Sequence, residues 1–180
     1  MEAATAEQED AAQDGSDYLI GVDWGKLDDF TALAVLNTTR RACVYLDRFN
    51  QIDYAVQLDR LGALYHRFRP TAIIAERNSM GEPLIEQLRR MGFPVQGFQT
   101  TNTSKTAAIE GLALAFEQGA LSIINDPVLV GELLAYEMER LPGGLIRYGS
   151  PAGMHDDTVL ALALACAGIG QRVEYAPSIW

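Results

Sequence analysis

The chain has 180 residues, 48% of them apolar, and a formal charge of −10. That suits one domain of ordinary size with a true core. No apolar run approaches the roughly 18 residues that cross a bilayer, so no membrane is expected.

Residues 1–17 hold six acids and no base, rich in Ala, Glu, Gln and Asp. They read as a disordered acidic leader or linker, with an exposed acidic helix as the other reading. The remainder, residues 18–180, then carries about −4, which argues against strong, autonomous, non-specific binding to nucleic acid. The N-terminus lacks the basic-then-apolar pattern of a signal peptide. Cys43 and Cys166 are too few for a disulfide framework and lack metal-ligand spacing. They read as buried thiols in a reducing, cytoplasmic setting.

The domain is expected over residues 18–170, with 171–180 as a C-terminal tail. Tyr18 to Asp23 is an apolar run ending in one acid and followed closely by Gly25, the pattern of a buried strand with a carboxylate at its tip. Phe30 to Leu36 and Ala42 to Phe49 are two more strands. Their short connections make the three an antiparallel meander, since a parallel pair needs a long crossover. Between Asp53 and Phe68 the period changes: Tyr54, Leu58, Leu61, Leu64, Tyr65 and Phe68 recur at helical spacing, with Asp53 as N-cap and Pro70 as stop. Thr71 to Glu76 is a fourth strand, again ending in an acid. Fed by a crossover helix, it should lie parallel to the first strand.

Glu82 to Met91 is a helix with Pro83 in its first turn and Gly92 after its end. Pro94 to Gln99 is a fifth strand, and Thr103 to Gln118 a helix. Leu121 to Ile124 is a short extended piece. A helix capped by Asn125 or Asp126 should run from Pro127 to near Arg140. Leu145 to Tyr148, bracketed by Gly and Pro, reads as an exposed loop or small hairpin. His155-Asp156-Asp157 opens an apolar helix over 158–169. The expected fold is α/β: a mixed five-stranded sheet, three antiparallel strands then two parallel ones, flanked by helices.

Two carboxylates, Asp23 and Glu76, end strands that should be parallel neighbours, so they meet at one edge of the sheet. If the last helix begins at that edge, Asp156 and Asp157 join them. Such a cluster repels itself unless divalent cations neutralise it. Oxygen-only ligands favour Mg²⁺ or Mn²⁺ over Zn²⁺. A pair of capping Asp residues would account for Asp156 and Asp157 alone. Three sets of acids, each at the expected end of its element, point to a metal site.

The run Gly21-Val22-Asp23-Trp24-Gly25 with Asp29-Phe30-Thr31-Ala32, then Glu76-Arg77-Asn78 with Gly81, then Thr100-Thr101-Asn102-Thr103-Ser104-Lys105, then His155-Asp156-Asp157, resembles the ribonuclease H-like nucleases. Within them it resembles the nuclease domain of viral large terminases, over residues 18–170. No G-x-x-x-x-G-K-[ST] motif is present, so the chain resembles the nuclease half without the ATPase half. The resemblance implies a two-metal endodeoxyribonuclease acting on double-stranded DNA during genome packaging, in the host cytoplasm if viral. Partners would be an ATPase domain or subunit, small terminase and portal proteins. Asp23 would bridge two ions roughly 4 Å apart. Asp157 would hold the ion that activates water, Glu76 the ion on the leaving-group side, and Asp156 would be accessory. In-line attack would leave a 5′-phosphate and a 3′-hydroxyl.

Lys26 and Lys105 read equally as phosphate contacts and as solvated lysines. Arg77 reads as a DNA or transition-state contact or as a salt-bridge partner. Arg147 could touch a DNA backbone, with a solvated arginine as the plainer reading. Asn78 and Gly81 shape the turn after the fourth strand. His155 would position water or a carboxylate, or simply pack at the helix end. A junction resolvase shares the acids and differs only in substrate preference. A non-catalytic docking module of a packaging motor is opposed by the intact Asp23, Glu76 and Asp157. An actin-like ATPase would need a second lobe and more chain.

Overall fold

The computed structural model describes residues 2–25, 29–78, 81–140, 146–151 and 153–169. Its strands are β1 (Tyr18–Asp23), β2 (Thr31–Asn37), β3 (Ala42–Phe49), β4 (Ala72–Glu76), β5 (Val95–Phe98), β6 (Ser122–Ile123), β7 (Glu137–Arg140) and β8 (Ile146–Gly149). The helices are α1 (Tyr54–Phe68), α2 (Gly81–Arg90), α3 (Asn102–Glu117), α4 (Pro127–Ala135) and α5 (Asp157–Ala167). The main sheet runs β5-β4-β1-β2-β3-β6. β1, β2 and β3 form the expected antiparallel meander, and β4 and β5 lie parallel to β1.

The sheet has six strands where five were expected. Ser122–Ile123 pairs parallel to Ala42 and Cys43 and becomes the edge. The extended piece expected over 121–124 is too short to carry a period, so its place in the sheet is known only from its pairing.

Alternation along the strands assigns the two faces. Tyr18, Ile20 and Val22 point to one core with Leu33 and Val35, under α1 and α2. Leu19, Ala32, Ala34 and Ile74 point to the other, under α3, α4 and α5. α5 is buried along nearly its whole length, from Asp157 through Ala165. A helix apolar all round is one packed between layers, here between the sheet and α3 and α4.

The end of α4 differs from expectation. α4 stops at Ala135, where Tyr136 turns extended (φ −70°, ψ 124°). The residues beyond it form β7, paired antiparallel with β8; cross-strand pairing here overrides the helical preference of Glu137-Met138-Glu139. α1 has the expected bounds: Asp53 stands at the N-cap position, though it makes no side-chain cap, and the helix ends on Arg69 in the left-handed region (φ 49°), whose N–H reaches Tyr65 O.

The leader expected to be disordered packs instead. Ala6 bridges Ile124, and Ala3 O accepts from Ile123 N at 2.8 Å, so the segment covers edge strand β6. Glu9 is buried at 5% exposure. Its carboxylate takes hydrogen bonds from Tyr18 Oη, Asn37 Nδ2 (3.0 Å) and Arg40 Nη1 (3.2 Å). A charge so fully partnered can be buried, and composition alone does not show its partners. The expected tail, 171–180, lies outside the described residues. Among the described residues no helix is long and apolar enough to cross a membrane.

Candidate functional site

The site is built on one transverse row of the sheet. Val22 pairs with Ala75, and the next residue on each strand is an acid, Asp23 and Glu76. Asp23 pairs with Ala32, and Ala32 with Arg48. Glu76, Asp23, Ala32 and Arg48 therefore lie across four neighbouring strands. By alternation, Asp23 and Glu76 share the face of Leu19, Ala72 and Ile74, the face that α5 covers. The small Ala32 leaves space between the acids and the arginine.

Gly21 brings α5 to this row. A Cβ there would lie 1.9 Å from Ala161 O and 2.6 Å from Ala165 N, so the helix backbone rests directly on the strand backbone. Asp157 is one turn before Ala161, and Asp23 one pleat beyond Gly21. The first residue of α5 thus arrives over the tip of β1. On the β4 side, Gly81 makes a similar close pass, since a Cβ there would lie 2.0 Å from Glu76 O. Asn78 fixes the same turn. Its Nδ2 donates to Thr100 O at 2.7 Å and lies 3.5 Å from Glu76 Oε1, and Gln99 Nε2 donates to its Oδ1.

Asp23 is 8% exposed. Burial first, then the charges of Glu76, Asp157 and Asp156, raises its carboxyl well above the usual range, opposed by Lys105. Asp157 is also buried. Its carboxyl is pushed up to about 6 by burial and Glu132, against the pull of Arg48 and His155. The acids sense one another, which is the condition under which a cation is favoured.

The protein supplies its own cations. Lys105 Nζ, on α3, donates to Asp156 Oδ2 at 3.0 Å. Arg48 Nη2 lies 3.4 Å from Asp157 Oδ2, and His155 Nδ1 lies 3.6 Å from the same oxygen. Asp156 stands at the N-cap position of α5 without making a side-chain cap. Glu132 of α4 does that work: its Oε2 accepts from Thr158 N at 2.9 Å and from Thr158 Oγ1. The capping explanation for the two aspartates therefore does not apply. Among the described residues no three His, Cys, Asp or Glu side chains converge closely enough to enclose a metal ion in this arrangement. Asp156 and Asp157 face Lys105 and Arg48 instead.

Of the residues singled out from sequence, Asp23, Glu76, Asp156, Asp157, Lys105, Asn78 and His155 meet at this edge. Arg77 pairs with Glu82. The backbone of Arg147 lies on β8, opposite Glu139. Lys26 lies outside the described residues. Sequence reading missed Arg48 and Glu132. Their signals were faint: a polar residue on a strand face, and the only acid in the apolar run Pro-Val-Leu-Val-Gly-Glu-Leu-Leu-Ala.

Comparison with known proteins gives one answer. The model of the Terminase RNaseH-like domain matches residues 20–167. The large terminase subunit of Thermus virus P23-45 is 31% identical over 149 residues, 82% of this chain. The chain spans only 31% of that relative's length. The large terminase nuclease of thermophilic phage G20c, solved with bound magnesium, superposes with a TM-score of 0.82 at 28% identity, covering 88% of this chain and 84% of that one. The same nuclease with bound cobalt gives 0.81 at 27%, with the same coverage.

Proposed function

Because the chain belongs to the Terminase RNaseH-like domain family, we propose that it is a metal-dependent DNA endonuclease, the part of a packaging motor's large subunit that cuts viral DNA. The observation that carries this reading is the buried Asp23, in one row with Glu76 and under the first residue of α5.

Asp23, Glu76 and Asp157, with Asp156 as an accessory ligand, would hold two Mg²⁺ or Mn²⁺ ions. The donor set fits such ions: it consists of hard oxygens only, and burial and then neighbouring acids raise the carboxyls of Asp23 and Asp157. Bound there, the cations would polarise the scissile phosphate and lower the pKa of water. The chain does the positioning. Burial of Asp23 keeps bulk water from its carboxylate, so each charge acts in a medium of low polarisability. Asn78 ties the turn that carries Glu76 to the start of α3. Lys105 is a candidate for phosphate oxygens once Asp156 turns to a metal. Lys26 and Arg147 remain candidates for the DNA backbone. For Arg77 the ion pair to Glu82 supports a structural role.

The substrate would be double-stranded DNA. Residues 18–180 carry about −4, so the domain alone should bind DNA weakly. An ATPase domain of the same subunit, with small terminase and portal proteins, would hold the DNA at high local concentration. Residues 18–170 would be the catalytic unit.

The test is incubation with supercoiled plasmid. Mg²⁺ or Mn²⁺ should yield nicked and linear products, and EDTA none. Cleavage that persists in excess EDTA would overturn the metal mechanism.

A further inference from the structure

Arg48 has two acidic partners and one nitrogen for both. Nη2 lies 3.3 Å from Glu132 Oε1 and 3.4 Å from Asp157 Oδ2. The guanidinium is mostly buried, its side chain 17% exposed. It stacks on Phe30, with Cζ 3.4 Å from the ring centroid. The stack holds it in a plane between α4 and α5, where a small in-plane shift moves the charge from one carboxylate to the other.

Glu132 is suited to that exchange. It is 6% exposed, and its other oxygen is fixed to the first turn of α5 through Thr158 N and Oγ1. The carboxylate cannot follow Arg48, so Arg48 must come to it. Among the described residues, both ion-pair contacts of Asp157 fall on Oδ2. Oδ2 is clamped, and Oδ1 is the oxygen a ligand would take.

We propose that Glu132 is a holding partner for the Arg48 guanidinium, so that Asp157 can give up Arg48 and take a divalent cation without leaving a buried arginine unpaired. Glu132 is then a positioning residue, acting through Arg48 on Asp157. The inference rests on Asp157 being a metal ligand, as proposed above. A buried charge stripped of its partner is costly. If Asp157 were the sole partner of Arg48, the metal would have to meet that cost on entry. With Glu132 present, the guanidinium passes between two anions and stays paired throughout. Phe30 contributes a flat apolar wall and accepts the cation on its face.

The sign of the effect separates this from a purely structural role. Glu132→Gln keeps an oxygen that can accept from Thr158 N and removes the charge that holds Arg48. Arg48 then pairs with Asp157 alone and competes with the metal. Mn²⁺ binding to the DNA-free chain, measured by titration calorimetry, should weaken at least tenfold, with little change in melting temperature. The double variant Arg48→Met, Glu132→Gln removes both the competitor and its holder, and Mn²⁺ binding should return to within about threefold of wild type, a non-additive rescue. A role confined to capping α5 predicts instead that the double variant binds no better than Glu132→Gln.

Wild-type Mn²⁺ affinity in a folded Glu132→Gln protein, alongside loss of binding in Asp157→Asn, would overturn the exchange and leave the metal site standing. If Glu132→Gln does not fold, the double variant decides alone: binding more than tenfold weaker than wild type overturns the proposal. Absence of Mn²⁺ binding by the wild-type chain would remove the metal site and this inference together.

Discussion

Gly21→Ala is the sharpest test of how the fold makes the site. The substitution adds one methyl group, far smaller than a charge change, at a position that is not itself a ligand. The new Cβ would meet Ala161 O at 1.9 Å, where ordinary contact starts at 3.4 Å, so about 1.5 Å must be found. Both neighbours, Ala161 O and Ala165 N, are backbone atoms of α5. No side chain can rotate away, and the helix itself must lift from the sheet. Overpacking of this kind costs about 1–3 kcal/mol, and a backbone clash lies at the upper end. For a chain of this size, each kcal/mol lowers Tm by about 2–4 °C, which predicts a fall of roughly 6–12 °C. The effect on cleavage should be larger than the effect on stability. Lifting α5 carries Asp157 away from Asp23, and a displacement near 1 Å in a positioned site costs on the order of 10²-fold in rate. The assay is plasmid nicking in Mn²⁺ at a temperature well below the variant's Tm. Gly111→Ala serves as control, because its Cβ would meet nothing within 4 Å on helix α3. There, alanine should stabilise by about 0.5–1 kcal/mol and leave cleavage unchanged. A Gly21→Ala protein with wild-type rate and Tm would refute the claim that backbone contact between β1 and α5 sets the distance between the two aspartates.

Asp23→Asn should abolish cleavage, and in metal-free buffer it should raise Tm, because it removes a buried carboxylate crowded by Glu76 and Asp157; unchanged nicking by the folded variant would take Asp23 out of the chemistry. Asp157 adds a pH dependence. Its carboxyl is raised from 3.8 to about 6 in the folded protein, so its contribution is full below pH ~4 and is lost as pH climbs to about 6. Calorimetric melts of the metal-free chain should show that fall, and Asp157→Asn should flatten it. Cleavage should fall further in Asp157→Asn than in Asp156→Asn, since Asp157 is the more buried of the two; single-turnover rates in Mn²⁺ would reverse the assignment if the order were opposite. Glu9→Ala should destabilise by about 1–3 kcal/mol, because it strips the buried Tyr18 Oη of its acceptor, while Asn37 Nδ2 keeps Tyr18 Oη as a partner. Urea unfolding with a wild-type midpoint would mean that the N-terminal segment contributes nothing.

The sequence alone determined the local elements and the chemistry at their ends. Apolar runs closed by Asp23 and Glu76, the helical period of α1, and the His155-Asp156-Asp157 start of an apolar helix are short-range patterns. Backbone geometry converts such patterns into strands and helices with little help from the rest of the chain. The parallel relation of β1 and β4 followed from the crossover between them, and with it the meeting of two carboxylates. What the sequence did not disclose depends on register and on contacts across many residues. Arg48 joins Asp23 only because β1, β2 and β3 align Asp23, Ala32 and Arg48 in one row. A one-residue slip would send Arg48 to the opposite face. Glu132 reaches Thr158 only because α4 packs against the start of α5. Glu9 becomes a buried acid only where Tyr18, Asn37 and Arg40 come together around it. β6 and β7 are held by partners on other strands and have no period of their own. Local sequence sets what each segment can be, while the energy of burying and pairing a charge is set by groups far away in the chain, and only the folded structure brings those groups within reach.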